Sequence, residues 1–254
     1  MRISPIGRIG SVFARLACAV GMVLVQNFAY SDANTCGPLT NHYGPFDYHA
    51  SPPERRSLVD NAHFTPDVER LRRGQSTAVI GADINYTLRV FPNHPRALLA
   101  MSNLAQKEKL AKPAGSEFTV DCWFYRAIRF REDDATVRML FGIYLLKTNR
   151  PELAVAQLER ASEFEGENAN LAYNLGLAYF DLHDYQRSLA FAHQAYEQGF
   201  PLPGLRNKLM RAGKWSDHVP KPKATDEGSD PVVSRSPSTE SQKGASVEAQ
   251  ESDR

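Results

Sequence analysis

Three cysteines, two tryptophans and a formal charge of only +1 in 254 residues exclude several classes of protein before any pattern is read. The leader is basic and the C-terminal stretch acidic, so the middle is close to balance and lacks the positive footprint of a nucleic-acid binder. The apolar run at residues 16–25 falls short of the roughly 20 residues needed to cross a bilayer. No HExxH, no pair of CxxC spacings, no GxSxG and no GxxxxGK[ST] occurs. The sequence therefore predicts no metal, no cofactor and no enzyme. What is present is enough apolar material for a core, with 42% hydrophobic and 10% aromatic residues.

Arg2, Arg8 and Arg15 precede the apolar run, and the small residues Ala29, Ser31 and Ala33 follow it. This is the layout of a secretory signal peptide over residues 1–33, with cleavage expected after Ser31 or Ala33. The alternative is an uncleaved membrane anchor. Cys18 has Arg15 three positions before it, where a lipidated cysteine wants an aliphatic residue, and Cys36 follows Ala-Asn-Thr, so neither resembles a lipidation site. Export leaves Cys36 and Cys122 where disulfides persist, and a bridge between them would restrict the unfolded chain by roughly 4 kcal/mol. Two unpaired thiols are the alternative.

The middle of the chain repeats. Shifting the sequence by 34 residues aligns Gly142 with Gly176, Tyr144 with Ala178, Ala154 with Ser188 and Ala161 with Ala195. Leu171, Leu175, Ala178 and Leu182 recur at helical spacing, as do Ala154, Leu158, Ala161 and Phe164. Small residues allow the two helices of a hairpin to approach closely, and larger ones fill the space against the next hairpin. The stretch "NLGLAYFDLHDYQRSLAFAHQAY" resembles the tetratricopeptide repeat (TPR), with the clearest copies at 135–166 and 169–200. Upstream, "KEKLAKPAGSEF" lengthens the first full hairpin's connection, because Ser102 lies more than one period before Gly142. That resemblance implies an all-α, right-handed superhelix of about three and a half stacked hairpins over residues 64–216.

Pro95 and Pro151 are read as first-turn prolines behind the capping side chains of Asn93 and His94 and of Asn149 and Arg150; Ser51 and Thr65 precede Pro52 and Pro66 in the same way. Short helices are expected at 52–62, 66–73 and 77–91, with residues 34–63 forming an N-terminal segment of extended chain and short helix. A capping helix starts near Pro203 and packs through Leu205 and Leu209. From Asp217 the chain has no aromatic, Leu, Ile or Met, so it is expected to be a disordered tail.

The candidate binding residues come from the resemblance, which assigns the inner face to the first helix of each hairpin. Carried over one at a time, it gives Leu99 and Asn103, then Met139, Ile143 and Leu146, then Tyr173, Leu177 and Phe180, with Asn174 beside them. Asn103 and Asn174 match the asparagines of the clamp with which some members hold a peptide carboxylate. Its basic places hold Leu99 and Asn170, so that clamp is absent. The Pro-, Gly- and Tyr-rich segment from Cys36 is an alternative occupant of this face.

His183 with Asp184 is expected at a tight turn, and Cys36 with His42 and His49 forms no known metal spacing. Phe124 and Ala127 are expected to face inward, with Cys122 and Trp123 pointing away from the hairpin seam. The function expected is an exported adaptor or assembly scaffold of the bacterial envelope, with a protein or peptide partner, no nucleic acid, and membrane contact only through the leader. The alternative is a small-molecule or glycan-binding accessory subunit using Trp123, Tyr125 and the loop at 109–118.

Overall fold

Among residues 36–166 and 168–217, which the computed structural model describes, the chain forms ten α-helices and no strand. They are α1 (Pro53–His63), α2 (Pro66–Glu69), α3 (Ile80–Val90), α4 (Pro95–Glu108), α5 (Val120–Phe130), α6 (Ala135–Lys147), α7 (Pro151–Glu165), α8 (Ala169–Asp181), α9 (Tyr185–Glu197) and α10 (Gly204–Arg211). None of the described helices is long and apolar enough to cross a membrane. The expected signal peptide lies outside the described residues, as does the expected tail beyond Asp217.

Proline sets four of the helix starts, because its fixed φ suits the first turn and its missing N–H removes one orphan donor. The expected caps fare less well. Only His94 caps, its Nδ1 accepting from Ala97 N at 3.4 Å, whereas Thr65 and Arg150 make no side-chain cap and Asn149 takes a left-handed φ of 58°. Thr119, Asp134, Asn168 and Asp184 cap α5, α6, α8 and α9 instead. The helix expected at 66–73 is a single turn ending at Glu69. Beyond it, the backbone N–H groups of Gln75, Ser76 and Thr77 converge on the buried Asp83 carboxylate at 2.7, 3.2 and 3.2 Å.

Pairs α4–α5, α6–α7 and α8–α9 are consecutive hairpins. The first helices α4, α6 and α8 touch in series, and α5 and α7 each pack on the next first helix. The fold is all-α and TPR-like. One apolar cluster runs from Phe64 through Leu88, Met101, Phe124 and Phe141 to Tyr179. Glycine allows the closest crossings: a Cβ on Gly142 would sit 2.5 Å from Leu158 on α7, and one on Gly176 would sit 2.4 Å from Leu205 on α10. The capping helix α10 closes the stack by burying Leu205 and Leu209 against α8 and α9.

Two expected orientations need correcting, one inward and one outward. Phe164 is 38% exposed, at the end of α7, where the guanidiniums of Arg160 and Arg138 lie 4.6 and 5.7 Å from its ring centroid. Trp123 is 1% exposed rather than turned outward; its indole N–H donates to Ser116 Oγ at 2.9 Å and its ring meets Phe118 edge-on.

The segment from Cys36 does not fill the inner face. Tyr43, Phe46 and Tyr48 pack on Val59, Val90 and Phe91, so the segment follows α1, α3 and α5. Phe46 N donates to Val90 O at 2.8 Å, and the buried Asn93 ties Tyr48 N, Asp47 and Asp134 together at 3.0, 3.1 and 3.1 Å. His94, fully buried, stacks on Tyr48 with centroids 3.9 Å apart, and its Nε2 lies 3.4 Å from Asp60 Oδ1. Burial pulls its pKa below the ordinary 6.5, and the Asp60 contact offsets this only in part.

Two expected outcomes follow from this packing. Gly142→Val forces a branched side chain into Leu158 and should cost about 2–3 kcal/mol in denaturant unfolding. Combined with Leu158→Ala, it should cost less than the two changes summed. For His94, the folded state keeps the neutral ring while the unfolded chain takes up a proton below 6.5, so stability should fall as pH drops below 6.5 toward the depressed folded pKa. His94→Asn retains a capping side chain, so between about pH 7 and pH 5 its stability should change less steeply than that of the unmodified protein.

Candidate functional site

The lengthened connection between α4 and α5 is an ordered structure that docks on the first turn of α3. A Cβ on Gly81 would lie 2.1 Å from the Ala114 carbonyl oxygen, and one on Gly115, at φ 78°, would lie 2.8 Å from Ala82 N. Glu117 N donates to Asn85 Oδ1 at 2.7 Å, Ala114 N to Glu108 Oε2 at 2.8 Å, and Val120 N to Ala111 O at 3.0 Å. Lys109, at φ 57°, turns the chain out of α4. Held in this way, α4 and α5 meet over much less of their length than α6 and α7 do. The open end of the hairpin is a cleft of about 720 Å³.

The last turn of α4 (Ala105, Gln106), the connection (Lys109, Leu110, Ala111), the start of α5 (Thr119, Asp121, Cys122, Tyr125), Tyr144 near the end of α6 and the turn after it (Thr148, Arg150) line it. Leu110 is 51% exposed on the rim. At the far wall Arg150 meets Asp121 through two guanidinium nitrogens, one at 3.0 Å, and its Nε donates to Thr148 Oγ1 at 3.0 Å. Burial, followed by the Asp121 charge, pushes the Tyr144 phenol up to about 12. Its hydroxyl therefore stays protonated near neutral pH. The walls are mostly apolar, with Lys109 on the connection and the Arg150–Asp121 pair at the back.

The inner-face candidates are not brought together as one groove. Leu99 is 38% exposed, and Leu99 and Ile143, with Leu140 and Phe124, border only a dimple of about 10 Å³. Asn103 is half-buried on α4, and Met139 and Leu146 are half-buried against the main core. Tyr173, Leu177 and Phe180 lie beneath the capping helix with Leu205 and Leu209; Tyr173 stacks on Phe200 at 4.1 Å, and Lys208 Nζ sits 4.9 Å from the Phe180 centroid. Asn174 is buried, its amide donating to Asn170 O at 2.8 Å. A second hollow, of about 440 Å³, lies near the C-terminal end of the described chain. Its Trp215 already stacks on His193 at 4.8 Å and donates to Asp217 at 3.0 Å.

Cys36 and Cys122 form a disulfide, with Cα atoms 5.2 Å apart. The Cys36 sulfur is therefore not a thiolate ligand for a metal with His42 and His49; His49 instead lies 3.7 Å from Asp134. Among the described residues no group of three or more His, Cys, Asp or Glu is placed to hold a metal ion. His183 is exposed in the turn before α9, with its Nδ1 2.9 Å from Tyr185 Oη. Beside the disulfide, Arg126 is 2% exposed and donates to the carbonyls of Cys36, Gly37 and Pro38 at 2.8, 3.3 and 2.7 Å. Burial, with Arg129 nearby, lowers its pKa from the ordinary arginine value.

Sequence reasoning singled out Tyr125 and the connection, but missed Asp121, Tyr144 and Arg150. The extra length between α4 and α5 was the only signal for the cleft. Tyr144 read as a repeat position, and Arg150 as a helix cap.

No protein-family model matches the chain. Among curated proteins it is similar to Protein O-mannosyl-transferase TMTC3 of Mus musculus, at 31% identity over 99 residues. Those residues are 38% of this chain and 10% of that protein, so the chain spans about a tenth of its relative's length.

Replacing the Cys36–Cys122 pair by serines opens a loop of sequence separation 86 in the unfolded state. Unfolding free energy should fall by up to about 4 kcal/mol, while far-ultraviolet circular dichroism stays helical at room temperature.

Proposed function

We propose that the chain is an exported TPR-like adaptor or assembly scaffold of the bacterial cell envelope, and that it holds its protein partner at the cleft between α4, α5 and α6. The observation that carries this reading is the splayed first hairpin, whose cleft of about 720 Å³ leaves Leu110 exposed at its mouth. Hairpin stacks commonly present extended surfaces for recognition, and exposed apolar side chains beside a concavity suit that use. The basic leader with its apolar run supports export. A specific observation also favours a second reading, as a glycan- or small-molecule-binding accessory subunit of an envelope enzyme. The cleft falls in the size range of small-ligand pockets, and the similarity is to a protein named as an O-mannosyl-transferase.

In-cell photo-crosslinking from position 110 of the full chain, followed by cell fractionation, tests the proposal. The expected result is one defined protein in stoichiometric yield from the envelope fraction, lost in Leu110→Asp. Phe180→Glu serves as a contrast, because it unsettles the α8–α10 seam and should lower the thermal midpoint, whereas Leu110→Asp on the exposed rim should hardly move it. Recovery of the chain alone, or recovery in the cytosol, overturns the adaptor reading. Saturable binding of mannosides without any protein adduct would favour the accessory-subunit reading.

A further inference from the structure

The chemistry around the cleft narrows the kind of partner, and the inference here rests on the adaptor reading above. Beyond the mouth, the charges are mostly of one sign. Lys109 lines the cleft and is exposed, Lys112 is exposed beside Ala111, and Lys147 is exposed on the adjoining dimple next to Tyr144. Lys107 is also exposed, one turn back on α4, with its Nζ 2.9 Å from Leu71 O. Of the nearby carboxylates, Asp121 is paired with Arg150 and Glu117 with Arg89, while Glu108 accepts from Ala114 N and keeps its charge, so the lysines outnumber it. The result is a net basic rim around a mostly apolar hollow whose half-buried ion pair, Arg150 with Asp121, is satisfied.

An incoming anion at the back wall would have to displace Asp121 from a two-point contact, which disfavours a ligand whose charge enters first. A ligand whose apolar part enters and whose negative charges remain at the mouth meets no such penalty. It removes apolar surface from water inside and places carboxylates near lysines outside, where attraction is modest and screened by salt. We infer that the cleft takes an internal peptide segment of the partner, one or two large apolar side chains flanked on both sides by Asp or Glu. A free C-terminus is not required, because the rim rather than a buried donor set meets the charge.

The test uses the exported chain and three fluorescein-labelled peptides with both ends blocked, read by anisotropy. One carries Phe-Leu between glutamate pairs, one carries Phe-Leu between lysine pairs, and one carries Ala-Ala between glutamate pairs. The first should bind at least about tenfold more tightly than either of the others at low ionic strength, with much of the advantage over the lysine peptide lost near 0.5 M salt. Lys109→Glu with Lys112→Glu should weaken the first peptide and strengthen the second. Leu110→Asp should weaken the first by about tenfold with its thermal midpoint unchanged, whereas Met210→Asp, on the exposed side of α10, should change nothing.

Equal affinity for the glutamate and lysine peptides overturns the inference, as does binding indifferent to Leu110→Asp. A monomer–dimer equilibrium abolished by Leu110→Asp, with no peptide bound, also overturns it and makes a second copy the occupant. The two readings fail separately. If the peptides fail while crosslinking at position 110 captures a defined partner, the adaptor reading stands and its peptide chemistry is wrong.

Discussion

The contact between the Ala114 carbonyl and Gly81 determines how the first hairpin is built. A side chain at Gly81 would clash at 2.1 Å, so only glycine lets the connection after α4 lie against the first turn of α3. Once docked there, the connection cannot also form the short turn that would press α4 and α5 together, and the hairpin opens at that end. The same docking supplies Ser116 and Phe118 as partners for Trp123, which is why a side chain that periodicity turns outward is buried. The cleft and the buried indole thus have one cause. In the other hairpins, with short turns at residues 148–150 and 182–184, the two helices pack against each other along far more of their length.

A splayed hairpin has an exposed second helix, and the N-terminal segment covers it. The disulfide fixes the segment to the start of α5, and Arg126 grips the next carbonyls from one turn along. A buried guanidinium without a carboxylate is costly unless its donors find acceptors, and here backbone oxygens and the rings of Phe118 and Trp123 supply most of the compensation. The covalent bond and the cation act on adjacent residues, so losing one should weaken the other's hold. Farther along, Asn93 and Asp47 continue the attachment into the turn before α6. The segment is therefore part of the fold, but on the second-helix side, away from Leu99 and Ile143.

The stack itself was legible because it depends on periodic small and large residues. Gly142, Gly176, Ala154, Ala161 and Ala178 are all buried at crossings, and Leu205 and Leu209 seat the capping helix. The resemblance that placed Tyr173, Leu177 and Phe180 on an inner surface did not foresee that α10 covers them; a pattern identifies a helix face but not what packs on it. Helix ends were legible where proline sets the dihedral and obscure where a side chain must reach a backbone N–H, as Thr65 and Arg150 show. The cleft was visible only as surplus length. Its walls come from three helices brought together by a loop whose docking depends on Gly81, a residue with no period to announce it.

Ionisable groups with displaced pKa values often mark functional sites, and this chain has several. Asp83, His94, Arg126 and Arg138 are all buried, and each directs polar atoms at backbone or at fixed neighbours, Asp83 also meeting His63 Nδ1 at 3.0 Å. Asp83 gathers three amides, His94 caps α4, and Arg126 holds three carbonyls; Arg138 donates to Glu132 O at 2.9 Å and to Gln157 at 3.1 Å. A group that holds main-chain amides or carbonyls cannot be given over to a ligand without loosening the loop or helix it secures. Their displaced pKa values therefore reflect anchoring. The cleft, by contrast, has a satisfied ion pair at its back, a phenol held protonated and exposed lysines at its mouth. Shape and rim charge, rather than a titrating group, are therefore what distinguish the open hairpin from the rest of the stack.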